Sequence, residues 1–205
     1  MNIKNKILRI MRGVSSSFTI IITVITLALI IGASVYTYEQ YAIYTSSLHM
    51  ISSSTSSSTK TTLPYNPSNK TVYITLVSLS SGSNFNYNGT SFGSMIIYVP
   101  SGSNLQITYI NQQSLPHNLN LVKNTTATPT SNIADDGNIL LTIGASSSDY
   151  TVNGLLNGQS ATGTFNDIPT GTYWLACGII GHAESGMWVV LVASPNVTTP
   201  YVVIS

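Results

Sequence analysis

The sequence predicts an all-β protein, a Greek-key β-sandwich or barrel, with an N-terminal transmembrane helix. From Thr71 onward the chain is a series of short runs rich in Val, Ile, Thr and Tyr, separated by Gly, Asn, Ser or Pro. No amphipathic segment of helical length appears there, and seven or more short strands in one domain argue for a two-sheet or barrel core. Ahead of them lie one apolar stretch and one polar, unpatterned tract.

The apolar stretch, Phe18 to Tyr36, is uncharged and about long enough to cross a bilayer as a helix. Lys4, Lys6, Arg9 and Arg12 precede it, whereas Glu39 follows it with no nearby cation. The positive-inside rule then puts the N-terminus in the cytoplasm and everything after Tyr38 outside. Residues 1–38 are therefore expected to be a retained anchor, single-pass in the cell membrane, with the domain on the extracytoplasmic side. Gly32, Ala33 and Ser34 offer a peptidase small residues, so a cleaved signal is the competing reading, and it exports the domain equally. Residues 39–70 include a Ser/Thr-rich tract with two prolines and read as a linker. Residues 71–205 form the expected domain.

In that domain the expected strands are TVYITLVSL, SMIIYVP, NLQITYIN, NILLTIG, ATGTF, GTYWLAC and MWVVLVA. Lys123 to Gln159 is looser and reads as a long crossover holding the Ile139 to Ile143 strand. Only 6% of residues are charged, against roughly 25% in ordinary soluble domains. Polarity comes from Ser, Thr and Asn, a surface whose charge changes little in acid. With no basic stripe, nucleic acid is not an expected partner. Sequons at Asn69, Asn88, Asn124 and Asn196 fit an exported glycoprotein.

The chemistry is concentrated near the C-terminus. Cys177, His182 and Met187 are spaced C-x4-H-x4-M between two strands. Strand alternation puts Tyr173, Leu175 and Cys177 on one face, so the thiol enters the interior at a strand end. Gly178, Gly181 and Gly186 allow a tight return to Met187. Thiolate, imidazole and thioether form the soft donor set that copper prefers, given a second His. The chain has three histidines. His49 lies in the linker, while His117, between Pro116 and an apolar run, suits a ligand at a strand start. The expected copper ligands are His117, Cys177, His182 and Met187.

These motifs resemble the cupredoxins, the blue copper proteins, over roughly Lys70 to Ser205. The resemblance rests on Gly171, Tyr173, Leu175 and Cys177, on Gly181-His182, on Gly186-Met187 and on Pro116-His117-Asn118. The loop spacing is similar to that of rusticyanin and sulfocyanin. The stretch FNYNGTS, residues 85 to 91, and the anchor followed by a Ser/Thr tract resemble the sulfocyanin family. The resemblance implies one type 1 copper, shuttling of single electrons in a respiratory chain of an acid-loving archaeon, and no small-molecule substrate. The expected redox partners are a cytochrome or Rieske-type donor and a terminal oxidase acceptor. It also implies that Asn118 donates its backbone N–H to the Cys sulfur and ties the ligand loops through its side chain. Gly178 stands where a hydroxyl residue is usual, so that tie needs a backbone partner.

An enzyme is not expected. Copper nitrite reductases and multicopper oxidases need further His-rich sites, and a binuclear centre needs two cysteines, where this chain has one. A copper carrier or assembly factor, or a structural cell-surface protein, are the other readings that the composition allows.

Overall fold

Alternating burial along the strands builds a two-sheet, all-β structure in the computed structural model, which describes residues 20–35 and 60–205. Eleven strands follow in order: β1 (Thr61–Thr62), β2 (Tyr65–Asn66), β3 (Thr71–Ser78), β4 (Met95–Pro100), β5 (Asn104–Asn111) and β6 (Leu119–Asn124). After them come β7 (Gly137–Ile143), β8 (Ser160–Phe165), β9 (Gly171–Ala176), β10 (Trp188–Ser194) and β11 (Tyr201–Ile204). One sheet has the order β1-β11-β4-β10-β9-β6-β7, the other β2-β3-β5-β8.

All seven expected runs are strands, but the sheets are mixed. β3 pairs parallel with β5, and β4 parallel with β10. The physical reason is the crossover: β4, between β3 and β5 in sequence, belongs to the other sheet, so its flanking strands meet in the same direction. Every second residue of β3, β4 and β5 points inward. Val72, Ile74, Leu76, Met95, Ile97, Val99, Leu105, Ile107 and Tyr109 form one core with Tyr173, Leu175, Cys177 and Met187. The expected shared face of Tyr173, Leu175 and Cys177 is thus the core face.

The central strands are also buried on their other side. Trp174, Ala176, Trp188 and Val122 pack there with Ile133 from the β6–β7 connection and Ala183 from the β9–β10 loop, forming a second small core. That connection therefore has a packing role that its loose sequence does not announce. β1 and β2 fall inside the stretch expected to be linker. Lys60 sits 3.8 Å over the Tyr201 ring, and Thr61 and Thr62 pair with β11.

Residues 20–35 form a helix, α1, in a compact unit separate from the β-domain. No helix of the described residues is long and apolar enough to cross a membrane. The expected transmembrane span, Phe18 to Tyr36, extends beyond the described part of this helix at both ends. Phe18, Tyr36, the four leading cations, His49 and most of the Ser/Thr tract lie outside the described residues.

Candidate metal centre

Two segments carry the candidate donors. His117 sits just before β6 and is held by a reciprocal backbone pair with Leu155, its N–H donating at 3.2 Å and its C=O accepting at 2.7 Å. Gly154 makes that approach possible, since a Cβ there would meet the His117 carbonyl oxygen at 2.4 Å. Cys177 follows β9, and its N–H donates to the Met187 carbonyl at 3.0 Å. The Met187 N–H donates in turn to the His182 carbonyl, also at 3.0 Å. These bonds close residues 177 to 187 into a compact loop with left-handed turns at Gly181 and Gly186. Met187 is fully buried in the same core as Cys177.

Three donor atoms converge. His117 Nδ1 lies 3.1 Å from His182 Nδ1, Cys177 Sγ 3.5 Å from His182 Nδ1, and Cys177 Sγ 4.0 Å from His117 Nδ1. A triangle with these sides has a circumradius of about 2.1 Å, matching the metal–nitrogen and metal–sulfur bond lengths of roughly 2.0–2.3 Å typical of such ligands. His117, Cys177 and His182 would therefore be able to hold one ion without rearrangement. Imidazole, imidazole and thiolate in a triangle, with a thioether buried nearby, is a copper set by softness and by geometry.

The comparisons agree. The family model described as sulfocyanin (SoxE) domain matches residues 58–204, and the model described as sulfocyanin, N-terminal matches residues 11–62. The chain belongs to the sulfocyanin family. A curated sulfocyanin from Sulfolobus acidocaldarius is 56% identical over 144 residues, covering 69% of this chain and 72% of that one. Among solved structures, reduced auracyanin from Roseiflexus castenholzii has a TM-score of 0.43 at 24% identity, covering 60% of this chain and 97% of its own. A rusticyanin structure gives 0.45 at 20%, covering 65% and 87%. As a sulfocyanin-family member the protein is a blue copper electron-transfer protein, and copper is its cofactor.

The surroundings of the sulfur and the two rings follow family expectation in part. Backbone N–H groups of Asn118 and Ile179 point to the Cys177 sulfur and favour thiolate, but burial dominates and pushes the thiol up to about 12. Burial, with His182 close by, lowers His117 to about 4, and burial also lowers His182. Both rings are therefore neutral and available to a metal at neutral pH.

The Asn118 side chain does tie the loops. Its Oδ1 accepts from the Gly178 N–H at 2.7 Å and from Asn120 Nδ2 at 2.8 Å. Its Nδ2 donates to the Tyr150 and Asn153 carbonyls at 2.7 and 2.6 Å. The missing hydroxyl also has a cause, because a Cβ on Gly178 would meet Tyr150 Cδ2 at 2.3 Å.

Sequence reasoning missed two neighbours. Phe85 lies 4.9 Å from the His182 ring and 6.4 Å, edge to face, from the His117 ring. The second is Gln113, whose Oε1 is 2.7 Å from His117 Nε2. Phe85 and Tyr87 were within reach through the FNYNGTS stretch, where Tyr87 O–H donates to the Asn118 carbonyl at 2.6 Å. Gln113 carries no signal in the sequence beyond lying four residues before His117.

Proposed function

We propose that His117, Cys177, His182 and Met187 hold one copper ion in a membrane-tethered carrier that passes single electrons between extracytoplasmic respiratory proteins. The observation that carries the ligand assignment is the 3.1, 3.5 and 4.0 Å triangle of donor atoms. Copper bound there supplies a one-electron Cu(I)/Cu(II) couple. The chain's own contribution is to hold the donors in place before the metal arrives. It keeps water from Cys177, His117 and Met187, all fully buried, and it directs two N–H groups at the sulfur. Donors aimed at the sulfur and an apolar setting favour the lower charge of the reduced site.

His182 is the more accessible ring. Ile180, Leu115 and Phe92 are exposed and belong to the ligand segments or pack on them; Phe92 donates its N–H to the Gly186 carbonyl at 2.8 Å. A mainly apolar rim, with Glu184 the exposed acidic residue of the same loop, supports brief docking of a redox protein, for which a cytochrome or Rieske-type donor and a terminal oxidase are the proposed partners.

Tethering is supported by the apolar stretch with its leading cations. In α1 the Thr26 and Ser34 hydroxyls each donate to the carbonyl four residues back at 2.8 Å, as lipid would require. Among the sequons, Asn69 and Asn196 are the ones we propose for glycan attachment. Both are exposed with no bond made by Nδ2 among the described residues, whereas Asn88 Nδ2 donates to the Thr75 carbonyl and Asn124 Nδ2 to the Thr126 carbonyl.

Copper titration of the metal-free domain tests the reading. An intense charge-transfer band saturating at one copper per chain is expected; no such band, or saturation at two, would overturn it.

A further inference from the structure

The far side of the His117 ring is as ordered as the side facing the sulfur. His117 Nε2 lies 2.7 Å from Gln113 Oε1, and the Gln113 side chain is almost wholly buried. Which end of that amide faces the ring is decided by its other contacts. Gln113 Nε2 is 2.6 Å from the Leu79 carbonyl oxygen and 3.4 Å from the Ser83 carbonyl oxygen. Carbonyls only accept, so the amide nitrogen must face them and Oε1 must face the histidine. Oε1 also only accepts, so His117 must carry its proton on Nε2. The lone pair is then left on Nδ1, the nitrogen turned toward His182 and Cys177.

We propose that Gln113 is a positioning residue that locks His117 in its Nε2–H tautomer and fixes the ring for metal binding. The assignment rests on the reading of His117 as a ligand. Gln113 is itself held from both ends. Its N–H donates to Asn111 Oδ1 at 2.9 Å, and Asn111 Nδ2 donates to the Leu115 and Leu155 carbonyls at 2.8 and 2.7 Å. Leu155 is the backbone partner of His117, so glutamine and histidine share one frame.

The other end reaches the FNYNGTS stretch. Asn86 accepts from the Leu79 N–H at 3.1 Å and donates back to the Leu79 carbonyl at 2.9 Å. Asn86 thereby fixes the carbonyl that orients the Gln113 amide. His182 Nε2, by contrast, has no hydrogen-bond partner among the described residues. One ring is locked from behind and the other is free there.

The experiment combines histidine 15N NMR of the metal-free domain with copper release. In the wild type at neutral pH, His117 is expected as a single Nε2–H tautomer. Gln113→Leu removes the acceptor, so a tautomer mixture is expected, with copper lost to a chelator roughly 10–100-fold faster, the usual scale for losing such a partner, and an altered Cu(II) spectrum. Gln113→Glu keeps an acceptor and should keep the tautomer, which provides the test if the leucine variant does not fold. A wild-type proton on Nδ1 would overturn the proposal. So would a folded Gln113→Leu with wild-type release and spectrum, or loss of the Nε2–H tautomer in Gln113→Glu. His117→Ala separates the two readings: an unchanged copper spectrum there would sink the ligand assignment and leave the tautomer result standing.

Discussion

His117 is lowered to about 4 mainly by burial, from the value near 6.5 of a free imidazole. The unfolded chain therefore takes up this proton first as acid is added. Stability of the metal-free domain should be complete above about pH 6.5 and fall progressively toward about pH 4, below which both states are protonated and the loss levels off. Thermal midpoints across that range check it, and a flat profile would contradict the burial of a neutral ring. Met187 is predicted to tune the potential and not to be needed for copper retention. Met187→Leu should raise the potential and Met187→Gln lower it, with copper retained in both. Voltammetry reads the sign, and loss of copper from both would make Met187 a structural requirement. These residues were legible from their types and spacing. Gln113 was not, because a buried amide gains its meaning from the carbonyls of Leu79 and Ser83, some thirty residues away in the chain.

At the scale of the element, the β9–β10 loop is set by what covers it. Gly178 is squeezed between Tyr150 and Asn120, whose atoms would stand 2.3 and 2.7 Å from any Cβ. Restoring the hydroxyl usual at this position is thus predicted to harm the protein. Gly178→Ser should cost about 1–3 kcal/mol, the range for overpacking a filled site, and chemical denaturation should show a lower midpoint. An unchanged midpoint would mean that Tyr150 yields freely. The seven expected strands could be read from sequence because they are runs rich in Val, Ile, Thr and Tyr bounded by turn residues. β1, β2 and β11 could not. They are two to four residues long and gain their order from partners: β1 from β11, β11 from β4, and β2 from β3. The parallel pairings were also hidden, since local pattern says which face is buried but not which sheet a strand joins.

For the whole molecule, the outcome divides at the linker. The β-domain and its copper chemistry follow from pattern, donor set and family, whereas tethering rests on hydropathy and leading charges, with α1 described over residues 20–35 only. An apolar stretch that inserts as a helix is effectively irreversible in its attachment. The native chain should stay with membranes through high-salt washing and require detergent for release. Recovery of the full-length chain in the salt wash would remove the tether from the account.

The central claim is that Cys177 thiolate bonds the copper inside the buried donor triangle. It is tested most directly by absorption spectra of the Cu(II)-loaded wild type and Cys177→Ser, recorded beside circular dichroism. An intense thiolate-to-copper band is predicted in the wild type and none in Cys177→Ser, with the β-sheet signal preserved in both. A Cys177→Ser variant that remains blue would contradict that claim.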